Sequence, residues 1–414
     1  MLYEIESGKI RPSKMLQDAL SSMLKGNQEF YMIDSQKIIF EYALSLANES
    51  ITLNSKNVVI VRGGPGTGKS VLAINLLVEL NKKNMNCFYV TKNATPRGVY
   101  ANKLKGDYTQ KYINHLFQSS GNFIDEENNI IDCLIVDEAH RLTEKTLKGR
   151  YFCGENQVKE IIKSSKFSIF FLDENQQVTL QDIGDEEIIK KFAKELNANI
   201  YIYDLESQFR CNGSDGYIAW LDNVLEIRKT ANFDIDGFNC EFKVFDNPNE
   251  MRAAIEEKNK INNKSRIVAG YCWEWPKENR NNPKYNDIII DEYNFEMSWN
   301  LDGGEIFALG ENTVKQAGCI HTTQGLEFDY VGVIIGPDMR YEHGQVVTDY
   351  TKRAKSDQSL RGIGKYSDED KIKLARKIIK NTYRTLMTRG MKGCYIYCVD
   401  KALGEHIKNV VSNK

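Results

Sequence analysis

Val58–Ser70, VVIVRGGPGTGKS, is four apolar β-formers running into a glycine-rich turn that closes on a lysine and a hydroxyl. The spelling matches G-x-x-x-x-G-K-[ST] through Gly63, Gly64, Pro65, Gly66, Thr67, Gly68, Lys69 and Ser70, and the helical run AINLLVELNKK follows. Glycines at 64, 66 and 68 let the backbone curl so that successive N–H groups face a triphosphate. Lys69 then reaches the outer phosphates, Ser70 a Mg²⁺ ion, and the helix N-terminus adds partial positive charge. The alternative is a glycine-rich strand-to-helix turn with no ligand. The order strand, loop, helix decides for the phosphate loop.

Working outward, DSQKIIFEYALSLAN reads as a helix capped by Asp34 or Ser35, which carries Gln36 about 30 residues ahead of Lys69. An amide there suits both edges of adenine, or is an exposed helix glutamine. Downstream, NCFYVTKN is a strand with a polar tip that includes Asn93, and IDCLIVDEAH is an apolar strand with Asp137 and Glu138 at its end. Open α/β sheets bind ligands at that end, so Asp137 is read as a holder of Mg²⁺ and Glu138 as the base for an attacking water. KFSIFFLDENQQ repeats the pattern and offers Gln176 as a sensor of the terminal phosphate, or a polar turn.

The chain of 414 residues has room for more than one domain, and 41% hydrophobic with 27% charged residues describes a globular protein. A net charge of -2 excludes a globally basic coat, so any grip on a polyanion must be local. Nine scattered cysteines without a C-x-x-C pair, and no leader in MLYEIESGKIRPSK, suggest reduced thiols in a cytoplasm. No apolar run reaches membrane-spanning length, and the five histidines lack metal-ligand spacing.

Strands and helices alternate twice over, with a phosphate loop in the first half alone. The expected fold class is α/β, two doubly wound parallel-sheet lobes facing each other across a cleft. The expected division is a helical lead-in over 1–33, a nucleotide-binding lobe over 34–205 and a second lobe over 206–414. Two further stretches stand out. Segment 338–370, with Lys352, Arg353, Lys355, Arg361 and Lys365, is either a phosphate-touching loop or a solvated insertion, the latter preferred. Trp273, Trp275 and Trp299 are assigned to packing ahead of base stacking.

In chain order, Gln36, GGPGTGKS at 63–70, TKN at 91–93, DEAH at 137–140, LDENQ at 172–176, QFR at 208–210, HTTQGLEFD at 321–329 and YRTLMTRG at 383–390 resemble the motif series of superfamily-one helicases. The nearest are the Schlafen-related, helicase-like proteins of bacteria and phages, and the resemblance covers residues 34 to 400. It implies two RecA-like lobes with ATP and Mg²⁺ between them. It implies that Gln36 reads adenine, that Lys69 and Ser70 bind phosphate and Mg²⁺, and that Asp137 and Glu138 are the metal and water pair. Gln176 would sense the γ-phosphate, and Arg210 and Arg389 would be arginine fingers. Gly325 and Glu327 would lie near the nucleotide, and His321, Thr322 and Asn93 toward nucleic acid. The implied partner is single-stranded DNA or RNA, with a protein partner in a defence assembly as a further prospect. Leu172 and Gln324 depart from the common residues of the series, and the short spacing after Asn93 leaves no room for a large accessory domain.

Overall fold

The computed structural model describes residues 16–27, 29–30, 32–205, 215–230, 240–301 and 306–412. They form two compact units, one within 13–177 and 181–208, the other within 209–414 together with 178–180.

The first unit is built on the apolar runs singled out above. Strands β1 (Asn57–Gly63), β2 (Cys87–Val90), β3 (Phe117–Gln118), β4 (Ile131–Val136), β7 (Ser165–Leu172) and β8 (Asn199–Leu205) make one sheet in the order β3-β2-β4-β7-β1-β8. Every pairing is parallel. Parallel strands are covered on both faces, which is why Val58, Val59, Ile60 and Val61 are all fully buried and read as a continuous apolar run. Val58, Ile60, Leu134 and Phe170 share a core with Ile161 and Ile162 of α6 (Gln157–Ser164) and Phe192 of α7 (Glu186–Glu195). Residues of opposite parity face α2 (Asp34–Thr52) and α3 (Lys69–Lys82), which pack on the same strands.

The lead-in belongs to this unit. Its helix α1 (Leu16–Leu24) packs on α3 and on α4 (Ala94–Leu104), with Lys103 and Asp18 2.7 Å apart. Helix α5 (Gln110–Leu116) leads into β3, and between β4 and α6 the chain makes a hairpin of β5 (Thr146–Lys148) and β6 (Tyr151–Cys153). The motif reading made no mention of β3 or of this hairpin.

The second unit begins with α8 (Asp215–Val224), β9 (Glu241–Phe245), α9 (Pro248–Asn262) and β10 (Ser265–Ala269). It continues through β11 (Ile288–Ile290), β12 (Phe295–Trp299), β13 (Gln316–Gly318), α10 (Ile320–Thr323) and β14 (Phe328–Ile335). The hairpin β15 (Met339–Glu342) and β16 (Gln345–Thr348) precedes α11 (Asp368–Met387), β17 (Gly390–Cys398) and α12 (Lys401–Ser412). Its seven-stranded sheet runs β11-β12-β13-β10-β14-β17-β9, parallel except for β11 on β12.

Packing decides two readings left open by the sequence. Trp299 is buried, donates from Nε1 to Gly318 O at 3.1 Å and meets Tyr271 edge to face, while Trp273 and Trp275 lie against the same core. In segment 338–370, Arg353 is buried, with Nε donating to Asp357 Oδ2 at 2.6 Å and Nη1 lying 3.6 Å from Asp338 Oδ2. Tyr383 of α11 donates to the other oxygen of Asp338, so this part of the segment is tied into the unit. Lys352, Lys355, Arg361 and Lys365 are exposed.

Candidate active site

The register lines up three strand tips on one edge of the first sheet. Arg62 of β1 stands beside Leu172 of β7, and Val136 of β4 beside Phe170, so β7 lies between the loop strand and the acidic strand. The chain leaves β1 at Gly63 and re-enters a helix at Lys69. Gly66 and Gly68 take the left-handed conformation, with φ 80 and 84. A Cβ at Gly68 would stand 2.3 Å from Gln36 Nε2, so that position needs glycine twice over. Gly64 has neither constraint, since an added Cβ there meets nothing within 4 Å. Pro65 and Thr67 complete the turn, with Thr67 Oγ1 donating to Gly64 O at 3.1 Å. Lys69 is buried, and its Nζ donates to the carbonyls of Gly63 and Gly64 at 2.7 Å each.

Gln36 packs on this loop. Its Nε2 donates to Thr67 O at 2.9 Å, and its Oε1 accepts from Ile33 N at 3.2 Å. The helix cap is Ile33 rather than Asp34 or Ser35; isoleucine has no side-chain acceptor, so of a capping box only the return bond is made, the Gln36 amide oxygen accepting from Ile33 N.

Across β7, Asp137 is the meeting point. Its Oδ2 accepts from Ser70 Oγ at 2.6 Å and from Tyr89 OH at 2.5 Å, and its Oδ1 from Glu138 N at 2.9 Å. Burial raises its pKa, and the charge of Glu138 adds to that; the hydroxyls of Ser70 and Tyr89 and the ammonium of Lys69 oppose it. Glu138 has φ 53, a left-handed backbone that side-chain residues adopt at some cost in energy. Its Oε2 lies 3.1 Å from His140 Nε2. His140 is fully buried and accepts from Asp173 N on Nδ1 at 3.2 Å, which leaves the ring proton on Nε2, facing Glu138. Burial lowers the His140 pKa, which favours the neutral ring. Asp173 Oδ2 in turn accepts from Gln176 Nε2 at 2.8 Å. Lys69, Ser70, Asp137 and Glu138 thus share one edge with Gln176, linked through His140 and Asp173.

Sequence reading missed Tyr89 and His140 as partners. A tyrosine one residue before the end of an apolar strand reads as core, and its hydroxyl shows only when the neighbouring strand supplies Asp137. A second cluster lies at the tip after β2. Lys92 Nζ is 3.7 Å from Asp182 Oδ1, which also accepts from Arg141 Nε at 3.1 Å. Beside it Asn93, buried at the cap of α4, has an Nδ2 with no hydrogen-bond partner among the described residues.

Burial, with the neighbouring Arg141 charge, lowers the Lys92 pKa from 10.5 to about 8. Between those values the unfolded chain binds more protons than the folded one, so this group makes stability rise with pH. Lys92→Met should flatten the rise. Urea unfolding at about pH 8 and about pH 10 should show the parent gaining roughly 1–2 kcal/mol over the variant. Equal gains would remove Lys92 as the source.

In the second unit, Thr322 Oγ1 is spent on its own turn, accepting from Cys319 N and donating to Cys319 O at 2.9 Å each, with His321 half-buried beside it. Gly325 has φ 84, and the turn it permits brings Leu326, Glu327 and Phe328 to the start of β17. There Arg389, buried, donates from Nε to Thr385 O at 3.0 Å and from Nη1 to Leu326 O at 3.3 Å. Phe328 N donates to Arg389 O, so the two motifs are locked together. Arg210 lies outside the described residues.

Among curated proteins, the uncharacterized protein YPL245W of Saccharomyces cerevisiae is 25% identical over 390 residues, 84% of this chain and 83% of that protein. Among solved structures, the Pif1 helicase from Candida albicans is 12% identical with a TM-score of 0.38, over 93% of this chain and 100% of that one. A crystallised DNA replication initiation factor is 15% identical with a TM-score of 0.25, over 49% of this chain. The chain spans about half of that factor's length, 54%. A family model described as the Schlafen group 3 DNA/RNA helicase domain matches residues 56–400, a span that begins after Gln36 and takes in both units. With a phosphate loop, paired acids and two parallel α/β sheets inside that span, the chain belongs to the Schlafen group 3 DNA/RNA helicase-domain family and is a helicase-like P-loop ATPase.

Proposed function

We propose that the protein is a nucleic-acid-dependent motor that hydrolyses ATP at the Lys69–Glu138 site and moves along single-stranded DNA or RNA. The observation that carries this reading is the set Ser70–Asp137–Glu138–His140, in which a carboxylate fit for a metal and a carboxylate fit for a water are separately oriented. The donors suit ATP with Mg²⁺. Ser70 Oγ and Asp137 Oδ2, 2.6 Å apart, are hard oxygen ligands, and Lys69 brings an ammonium to the curl of the loop. When bound, Mg²⁺ would neutralise charge on the phosphate oxygens. Glu138 accepts the proton of the attacking water, and His140, neutral, holds the carboxylate in place. Gln176, reaching the same edge through Asp173, senses the terminal phosphate. By the resemblance, Arg210 and Arg389 would be arginine fingers, and Gly325 and Glu327 would lie near the nucleotide, in the turn whose Leu326 carbonyl accepts from Arg389. By the resemblance, His321, Thr322 and Asn93 would lie toward the strand, Thr322 by bracing its turn rather than by direct contact.

Translocation is tested by the release of streptavidin from a biotin at one end of a single-stranded oligonucleotide. The motor reading predicts ATP-dependent release from one end only. A protein that binds and hydrolyses but never releases is a nucleotide-controlled switch, and the motor reading fails.

Gln36 carries a separate test. If its amide reads adenine, Gln36→Ala should lose discrimination between ATP and GTP; as a brace of the loop through Thr67, it should weaken both nucleotides alike. The adenine assignment predicts at least a tenfold fall in the ATP-to-GTP affinity ratio, about 1.4 kcal/mol. Fluorescent-nucleotide titrations that show the ratio unchanged would give Gln36 the bracing role alone.

A further inference from the structure

Between the acidic strand and α6 the chain spends ten residues, 144–153, on the β5–β6 hairpin, which no step of ATP hydrolysis uses. Register pairs Leu147 with Phe152 and Lys148 with Tyr151 across the two strands, so Leu147 and Phe152 share one face. Leu147 is 57% exposed, Phe152 54% and Tyr151 78%, although a two-stranded ribbon gains its stability by covering such side chains. Lys145, Lys148 and Arg150 stand among them, also exposed, against one carboxylate, Glu144. Among the described residues none of these three cations forms an ion pair. The local balance is therefore positive in a chain whose net charge is -2.

The root of the hairpin is rigid where its tip is exposed. Thr146 Oγ1 accepts from Gln157 Nε2 at 2.8 Å, and Gln157 Oε1 accepts from Thr143 N at 3.0 Å and Ser120 Oγ at 3.1 Å. A Cβ on Gly121 would collide with Thr146 Cγ2 at 2.4 Å, so the backbone after β3 runs directly under the root. The turn is two residues long, with Gly149 at φ 64 as its first. Because β3 and β2 end the sheet on this side, the hairpin rises from the same edge as Asn93, at the far side from the phosphate loop. The result is a fixed arm that presents Tyr151 and Lys148 together on one face, with Arg150 in the turn beside them.

We infer that the β5–β6 hairpin is a strand-binding arm of the first unit, which takes single-stranded DNA or RNA by stacking bases on Tyr151 while Lys148, beside it on the same face, and Arg150 of the turn meet the backbone phosphates. Aromatic faces accept any base and cations track the phosphodiester, so the pairing fits sequence-tolerant binding. An apolar protein groove would use the Leu147–Phe152 face but has no need of three unpaired cations. The inference rests on the motor reading for its ligand class and goes beyond it in naming the surface.

The test uses the full chain and two labelled probes, an oligothymidylate and an oligouridylate, followed by fluorescence anisotropy across a salt series. Tyr151→Ala should weaken strand binding roughly 5- to 100-fold at constant salt slope. Lys148→Glu with Arg150→Glu should weaken it and reduce the slope by about 1.4 or more. Both variants should keep the parent's melting temperature, nucleotide affinity and strand-independent ATPase rate. A parent that binds strands while both variants bind equally well overturns the arm alone. A parent that binds neither probe overturns the arm and the motor reading together. A concentration-dependent dimer in the parent that becomes monomeric in the variants, with strand affinity intact, assigns the hairpin to a second copy of the chain and overturns the proposal.

Discussion

Glu138→Gln should bind ATP as tightly as the parent chain and hydrolyse it slower by about 10² to 10⁴, the usual loss on removing a positioned base. The substitution is nearly isosteric. It keeps a polar atom where Oε2 stands, 3.1 Å from His140 Nε2, and leaves untouched the backbone N–H from which Asp137 accepts. What it removes is the capacity to accept a proton from water. The left-handed backbone at this position, φ 53, is as tolerable to glutamine as to glutamate, so the fold is retained. Single-turnover hydrolysis beside equilibrium binding separates the two effects. A variant that fails to bind nucleotide, or that turns over at the parent's rate, would show that Glu138 has another role.

Arg389→Ala should lower the catalytic rate by roughly 10³ or more with little change in nucleotide affinity, if this guanidinium meets charge that develops on the phosphoryl oxygens. The residue also has structural duties. Its Nε and Nη1 donate to the carbonyls of Thr385 and Leu326, and alanine removes both bonds, leaving Thr385 O with Thr388 Oγ1 as donor, at a cost of about 1–3 kcal/mol. The melting temperature must therefore be followed beside the rate. A rate loss far in excess of the stability loss, at temperatures where the variant is folded, separates catalysis from packing. Lysine should rescue poorly, because a point charge on a flexible stem cannot span two oxygens as a planar fork does. Arg210→Ala is expected to act in the same direction. Normal turnover in a folded Arg389→Ala variant would confine Arg389 to holding α11 against the turn at Gly325.

The parts of this molecule legible from sequence were those in which local chemistry and fold agree. The phosphate loop announces itself because Gly66 and Gly68 must take left-handed angles and Lys69 must open a helix, constraints that few other residues satisfy. Asp137 and Glu138 were legible because a parallel strand, apolar from Cys133 to Val136, ends there. Strands β3, β12 and β13 were not, since a stretch such as Gln316–Gly318 has no period and becomes a strand only by pairing with β10 and β12. The β5–β6 hairpin was missed for a similar reason: its two strands are three residues each, and their large apolar side chains are more than half exposed. Arg353 looked like one more cation in a basic loop, although Asp357 stands one helical turn away and Asp338 closes on it only in the folded chain. Gln36 was placed on the right helix but with another residue as its cap. The amide proved to bind the loop backbone, a contact that no spacing rule encodes.

The account stands or falls on coupling between the two activities it joins. The most direct measurement is the steady-state ATPase rate of the full chain at saturating ATP and Mg²⁺, titrated with single-stranded DNA and, separately, with single-stranded RNA. Lys69→Ala serves as the control for contaminating hydrolysis. The prediction is a rate that rises at least tenfold to a plateau with one or both strands and is absent at every strand concentration in Lys69→Ala. A rate in the parent that is the same with and without either strand, and lost in Lys69→Ala, would contradict the motor and leave a nucleotide switch in its place.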